Sequence, residues 1–284
     1  MTFTHQQPDN AALPVNAIPV QTVTVNGITI AYKEIGSGYP LVLINGFAST
    51  MDTWNPPVLE ELARHFRVII FDNRGTGYST ASGTPFSMSL FAADTLALMD
   101  ALGIARAHIL GHSMGTCVAQ ELALFHPDRV SRLILVSGTC GGEQMIRMEQ
   151  PVWETLSDKS GTGIDLANRM FSVLFPETWL ETHDPWQYCP EVHETTSEES
   201  AAREAEALFS WSGSYDRLPH IRSPVLVITG TEDVVIPPAN SRTLADRITG
   251  ARLVEIPGAG HGLMYQCPGE FLVVVREFLK NVSA

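Results

Sequence analysis

Gly111, His112, Ser113, Met114 and Gly115 spell a G-x-S-x-G pentapeptide. Average residue usage yields such a match about 0.1 times in a chain of this length, so the context decides its meaning. The pentapeptide follows an apolar run at 107–110 and opens a helical pattern over 114–125. That is the strand, sharp turn and helix needed to lift a serine hydroxyl above a sheet. The turn forces the serine into a strained backbone conformation, and the flanking glycines remove side chains that would collide. The helix N-terminus behind it favours developing negative charge. A serine hydroxyl is a weak nucleophile, so it needs a base within hydrogen-bonding reach and an acceptor that holds the base in one tautomer.

Two further residues fit those roles. Asp233 lies in the turn Gly230-Thr231-Glu232-Asp233 after an apolar run at 224–229, and His261 lies in the loop Gly258-Ala259-Gly260-His261-Gly262 after a run at 252–256. In an open parallel sheet, such turns sit at the carboxyl edge, where Ser113 also belongs. The chain order serine, acid, histidine is that of nucleophile-elbow hydrolases. Among the competitors, His108 falls in a strand, His112 is expected to point away from Ser113 across the turn, and His126 ends a helix. Asp94 and Asp100 read as solvated or capping residues on a helix, and no acid occurs at 137–139 after the preceding strand. Glu232, beside Asp233, is a minor alternative for the acid.

These residues need a scaffold. Runs at 21–26 and 28–34 flank Asn26-Gly27, the dipeptide that most favours a tight hairpin. Runs at 41–44, 67–71, 107–110 and 132–136 are short and apolar without alternation, as strands buried on both faces should be. Helical spacing lies between them at 53–65, 89–102 and 114–125, with Gly103 as a stop for the second. The alternation resumes with strands at 224–229 and 252–256 and helices at 238–248 and 268–280. The expected fold is α/β, a mostly parallel eight-stranded sheet flanked by helices. Its core domain would span 21–138 and 222–284, after a tail at 1–20.

The intervening 139–221 reads as a helical cap. Its Trp153, Phe171, Phe175, Trp179, Trp186, Tyr188, Phe209, Trp211 and Tyr215 could line an apolar pocket. For any one of them, membership of the cap's own small core is the better reading, with two or three facing substrate. The acidic stretch 191–206 reads as a solvated helix face.

Composition narrows the function. The chain has 284 residues, 44% of them hydrophobic, enough for a large core. Eighteen Lys and Arg stand against 31 Asp and Glu, a formal charge of -13 that repels nucleic acid and anionic membrane surfaces. The first twenty residues lack the basic and apolar regions of a secretory signal, and no apolar run approaches the roughly 20 residues of a membrane span. The reading is a soluble, cytoplasmic protein acting on a small molecule, with a homo-oligomer left open. Cys117, Cys140, Cys189 and Cys267 are far apart and read as free thiols, with Cys117, inside the helix after Ser113, suited to packing rather than chemistry. No spacing suggests a metal site, and no cofactor is expected.

GHSMG, GTEDVVIP and PGAGHGLMYQCP, in order and each after a strand, resemble the α/β-hydrolase family, as do INGFAST at 44–50 and FDNRGTGYS at 71–79. The likeness runs from about residue 21 to the end, apart from the cap. It departs at Asn45, where the family usually has His. The resemblance implies a serine hydrolase with Ser113 as nucleophile, His261 as base and Asp233 as orienting acid. It also implies an oxyanion hole made by the amides of Phe47 and Met114, with Asp72 and Arg74 in a buried structural network. An ester of a small, largely apolar substrate is the expected target. Lactonases, thioesterases, amidases, carbon-carbon bond hydrolases and cofactor-free peroxidases share the fold, so the bond is left open. Serine at 113 argues against the dehalogenase and epoxide hydrolase branches, which use Asp there. A rival of another class is a ligand receptor or regulatory protein that keeps the triad but turns over slowly.

Overall fold

Asn26 and Gly27 take left-handed backbone angles, φ 48° and 72°. They join β1 (Gln21–Val25) to β2 (Ile28–Ile35), with Val25 opposite Ile28. This is the two-residue turn whose twist matches an antiparallel pair. The computed structural model describes residues 14–280, so 1–13 of the expected tail and 281–284 lie outside it. Within 14–20, Val15 and Ile18 are buried in the core beside the first helix rather than free of it.

From β2 the chain runs through β3 (Tyr39–Ile44), α1 (Pro56–Ala63), β4 (Phe66–Phe71), α2 (Met88–Ala101), β5 (Ala107–His112), α3 (Met114–Phe125) and β6 (Val130–Val136). Four helices follow: α4 (Gln150–Ser157), α5 (Gly163–Leu174), α6 (Glu177–Leu180) and α7 (Glu198–Ser210). Then come β7 (Val225–Gly230), α8 (Pro238–Arg247), β8 (Arg252–Ile256), α9 (Leu263–Gln266) and α10 (Pro268–Lys280). The strands form one eight-stranded sheet in the order β1-β2-β4-β3-β5-β6-β7-β8. The β1/β2 and β2/β4 ladders are antiparallel and the others parallel, as expected for a mostly parallel sheet.

Both faces are covered, which accounts for the unbroken apolar strand sequences. Val42 and Ile44 face one core, with Phe91 of α2, Val118 of α3 and Leu244 of α8. Leu41 and Leu43, one residue out of phase, face the other with Leu59 of α1 and Phe271 of α10.

Two details differ from the sequence reading. The helix expected at 53–65 begins only at Pro56, because Pro56 and Pro57 suit a first turn, and the side chain of Asn55 is turned away to Met264 O at 2.8 Å. Asp94 is neither solvated nor a cap. It is buried on α2 and takes both Nε (2.7 Å) and Nη2 (2.8 Å) of the equally buried Arg74. The fork geometry satisfies a charge pair that burial would otherwise make costly.

Candidate active site

Ser113 sits between β5 and α3 with φ 53° and ψ -122°, a sparsely populated conformation for a residue with a side chain. Its amide donates to Val136 O (2.9 Å), and its carbonyl accepts from the Thr116 amide (2.9 Å) and hydroxyl (2.7 Å). These bonds hold the strained turn in place. The motif's glycines are required by contact. A Cβ on Gly111 would lie 2.4 Å from Gly115 O, and one on Gly115 would lie 2.2 Å from Ile44 O. Helix α3 therefore presses directly on β3. Gly115→Ala is expected to cost more than about 3 kcal/mol of stability, read as a lowered urea midpoint or loss of soluble protein. An unchanged midpoint would contradict this packing account.

Register carries the other residues to the same rim. Ile44 pairs with Gly111, His112 with Val136, and Gly230 with Ile256. The turns after β3, β5, β7 and β8 thus leave one edge of the sheet. There His261 Nδ1 meets Asp233 Oδ2 at 2.8 Å, and both side chains are buried. The other oxygen of Asp233 accepts the amides of Val235 (3.0 Å) and Ile236 (2.8 Å). Each carboxylate oxygen thus has its own fixed donor, which orients the acid toward the imidazole. Glu232 is exposed, and it is the neighbouring Asp233 that reaches the ring.

His112 does not simply turn away. Its ring lies 5.0 Å from that of His261, and its Nε2 is 3.4 Å from His261 O. The residue before the serine therefore touches the histidine loop. Burial, then the proximity of His261, pushes the His112 pKa down to about 3, so it supports His261 as a neutral ring. The same loop is held from above: the Gly262 amide donates to Leu174 O at the end of α5 (2.8 Å), and Phe175 fills the space where a Gly262 side chain would be. His108, by contrast, is buried in β5 against Tyr39 and Phe66, and burial lowers its pKa to about 4.

Gly46 approaches the serine so closely that its Cβ would lie 3.1 Å from that of Ser113. Phe47 follows with its side chain 42% exposed, whereas the side chain of Met114 is buried. Neither the Phe47 nor the Met114 amide donates to another protein group among the described residues. Asn45, in place of the usual His, is buried and donates to Phe71 O at 3.4 Å. Asp72 and Arg74, just after β4, are both buried. Asp72 takes the amides of Met51 (2.7 Å) and Tyr78 (2.9 Å), and burial pushes its carboxyl up to about 6 despite those bonds.

One residue at this rim was not legible in the sequence. Glu204 belongs to the acidic stretch expected to be solvated, and Glu198 and Glu199 of α7 are indeed exposed. Glu204 itself is fully buried and accepts the Ala48 amide at 2.7 Å. Nothing in its own stretch of sequence separates it from its solvated neighbours. Burial pushes its carboxyl up to about 8, against the pull of the Ala48 amide. A folded pKa above the unfolded one means the folded chain binds the proton more tightly. The folded chain is therefore at its most stable, as far as this group is concerned, at acid pH and loses stability as pH rises from 4.5 through about 8. Glu204→Gln is expected to flatten the fall in thermal midpoint across that window; an unchanged slope would place the titration elsewhere.

The aromatics between β6 and β7 divide. Phe171, Phe175, Trp179, Trp186 and Tyr188 form a cluster with ring separations of 4.7 to 6.2 Å, and Phe175 joins it to Tyr265 of α9. Trp211 and Tyr215 pack on the main core. Trp153 and Phe209 pair at 5.7 Å and are 42% and 56% exposed. Cys117 and Cys140 are buried, and burial pushes the Cys117 thiol up to about 12, which leaves it unreactive. Among the described residues no group of His, Cys, Asp and Glu could hold a metal, and no helix is long and apolar enough to cross a membrane.

Comparison with known proteins agrees with this architecture. The profile described as α/β hydrolase fold matches residues 39–183, and one described as TAP-like protein matches 201–281. A relative from Caulobacter sp. (strain K31), named as a carbamate hydrolase (RutD), is 32% identical over 93% of this chain and 100% of its own length. The enol-lactonase from Burkholderia xenovorans LB400 superposes with a TM-score of 0.77 at 31% identity, covering 92% of this chain and all of that one. A thermophilic esterase from Thermogutta terrifontis gives 0.76 at 28%, covering 93% and 98%. This chain belongs to the α/β-hydrolase fold family.

Proposed function

We propose that the chain is a serine hydrolase that cleaves a carboxylic ester, or a related acyl compound, of a small and largely apolar substrate. The observation that carries this reading is the 2.8 Å contact from His261 Nδ1 to Asp233 Oδ2, at the rim where Ser113 stands on its strained turn. With Nδ1–H donated to the carboxylate, Nε2 keeps its lone pair and acts as the base. It takes the Ser113 proton as Oγ attacks the carbonyl carbon, and returns it to the departing alcohol oxygen. A water then gives its proton to His261 and attacks the acyl-enzyme, releasing the acid and regenerating the serine. The free amides of Phe47 and Met114 receive the charged oxygen of each tetrahedral intermediate.

Residues 139–221 act in this reading as a helical cap. The exposed side chains of Phe47, whose amide is one of the two oxyanion donors, and of Val234, next to Asp233 in sequence, supply apolar surface for the substrate, while the charge of -13 disfavours polyanions. The names of the relatives favour a second reading within the same chemistry. An ester, a lactone and a carbamate all present an acyl carbon to an attacking hydroxyl, and the structure of the leaving group separates them. One purified sample assayed on p-nitrophenyl esters of rising chain length, an enol-lactone, a carbamate and a thioester tests the reading. Labelling by a fluorophosphonate at Ser113, with loss of turnover on the best substrate, is expected. Labelling elsewhere, or turnover that survives complete labelling, would remove the assignment. Labelling with no more than a few turnovers on any of these substrates would instead favour the receptor.

A further inference from the structure

We propose that Glu204 is a positioning residue for this hydrolysis: through the amide of Ala48 it holds the turn that presents the Phe47 amide to the reacting oxygen. The proposal rests on the reading of Phe47 as an oxyanion donor. Ala48 has φ 52°, a left-handed conformation that alanine keeps only where its surroundings over-determine it. Those surroundings come from the segment between β6 and β7. The Ala48 amide donates to Glu204 Oε2 at 2.7 Å, and Thr196 Oγ1 donates to the Ala48 carbonyl at 3.0 Å. On the near side, the Ser49 amide donates to the Gly46 carbonyl at 3.4 Å, and that carbonyl shares its peptide plane with the Phe47 N–H. The donor is thus fixed from both flanks, one of them by α7.

Helix α7 is a firm base for that contact. Arg203 donates to Ser82 O (2.7 Å) and Thr84 O (2.8 Å), and its guanidinium lies 3.8 Å from the centre of the Phe86 ring. Ser200 fills the space beside Gly75. One turn after Ser200, Glu204 is wholly buried. Among the described residues it makes no ion pair, and its second oxygen has no partner. A carboxyl in that setting is worse for stability than an apolar side chain of similar size. Its contribution therefore lies in the geometry it imposes on Ala48.

The test compares wild type with Glu204→Met, Glu204→Gln and Thr196→Val on p-nitrophenyl butyrate, together with thermal midpoints and inhibition by a phenylboronic acid, whose tetrahedral serine adduct needs the oxyanion donors. Losing one such donor outright costs on the order of 100-fold in kcat, so a misaligned donor should cost about 10-fold. Glu204→Met is expected to lose about 10-fold in kcat and a similar factor in boronate affinity, with KM within about threefold and a thermal midpoint no lower than wild type. Glu204→Gln keeps an acceptor for the Ala48 amide and should stay within about 1.5-fold of wild-type kcat. A wild-type kcat in folded Glu204→Met, or a loss in kcat with boronate affinity unchanged, overturns the proposal. So does a loss in Glu204→Gln equal to that in Glu204→Met. Should Glu204→Met not fold, Thr196→Val decides: it must lose kcat and boronate affinity together by about threefold, and wild-type values in it overturn the proposal. Turnover surviving Ser113→Ala would bring down the serine reading and this proposal with it. Turnover abolished by Ser113→Ala but indifferent to Glu204→Met overturns this proposal alone.

Discussion

Ser113→Ala is expected to lower kcat on the best ester substrate by a factor on the order of 10⁵ to 10⁶, with KM little changed. In the proposed mechanism the size follows from the loss of the covalent route: without Oγ no acyl-enzyme would form, leaving substrate binding beside the two proposed oxyanion amides. His261→Ala should cost nearly as much, because a neutral hydroxyl with no base attacks poorly. The decisive measurement is the double variant. If Ser113 and His261 act as one unit, as proposed, removing both should cost little more than removing either. Losses that multiplied would mean that the two residues act independently. Both variants should fold: the elbow is held by Ser113's main-chain bonds to Val136 and Thr116, and the main-chain bonds of the His261 loop do not use the imidazole.

Asp233→Asn is expected to lower kcat about 10⁴-fold while the protein remains folded. The carboxylate accepts on both oxygens, from His261 Nδ1 on one and from the amides of Val235 and Ile236 on the other. An asparagine can keep the main-chain bonds with its oxygen, which leaves its NH₂ facing His261. That group donates, so the imidazole must accept at Nδ1 and carry its proton on Nε2, the tautomer that cannot receive the serine proton. Asp233→Ala would lose less specifically and destabilise the turn as well. Measured over pH, Asp233→Asn should recover part of its rate in alkaline solution, where hydroxide can replace the missing base. A variant within tenfold of wild type at neutral pH would show that the Asp233 carboxylate is not what orients the histidine.

Much of the site was legible because its signals are local. The elbow announces itself through Gly111 and Gly115, whose missing side chains answer contacts of 2.4 and 2.2 Å, as the sharp strand-to-helix turn requires. Asp233 and His261 were legible for a related reason: parallel strands place their following turns on one edge, so position after a strand implies position at the rim. The hairpin at Asn26-Gly27 and the stop at Gly103, φ 67°, depend only on adjacent backbone torsions.

What the sequence left undecided turns on partners distant along the chain. Asp94 looks like any helix-surface acid until Arg74, twenty residues away, is folded against it. Glu204 is separated from Ala48 by 156 residues, and its neighbours at 198 and 199 are exposed, so no local pattern marks it as buried. The turn alone directs His112 away from Ser113, and only the loop after β8 brings His261 to within 5.0 Å of its ring.

By itself, then, the sequence determined the strand and helix order, the strained serine turn and the residue types that can move a proton, since these follow from short-range sterics and chemical identity. Only the tertiary structure decided which carboxylate meets the imidazole, which acids lose their water, and how the segment between β6 and β7 grips the Phe47 turn. Burial and hydrogen-bond partnership are properties of residues that approach one another through space, and a one-dimensional pattern does not specify those approaches.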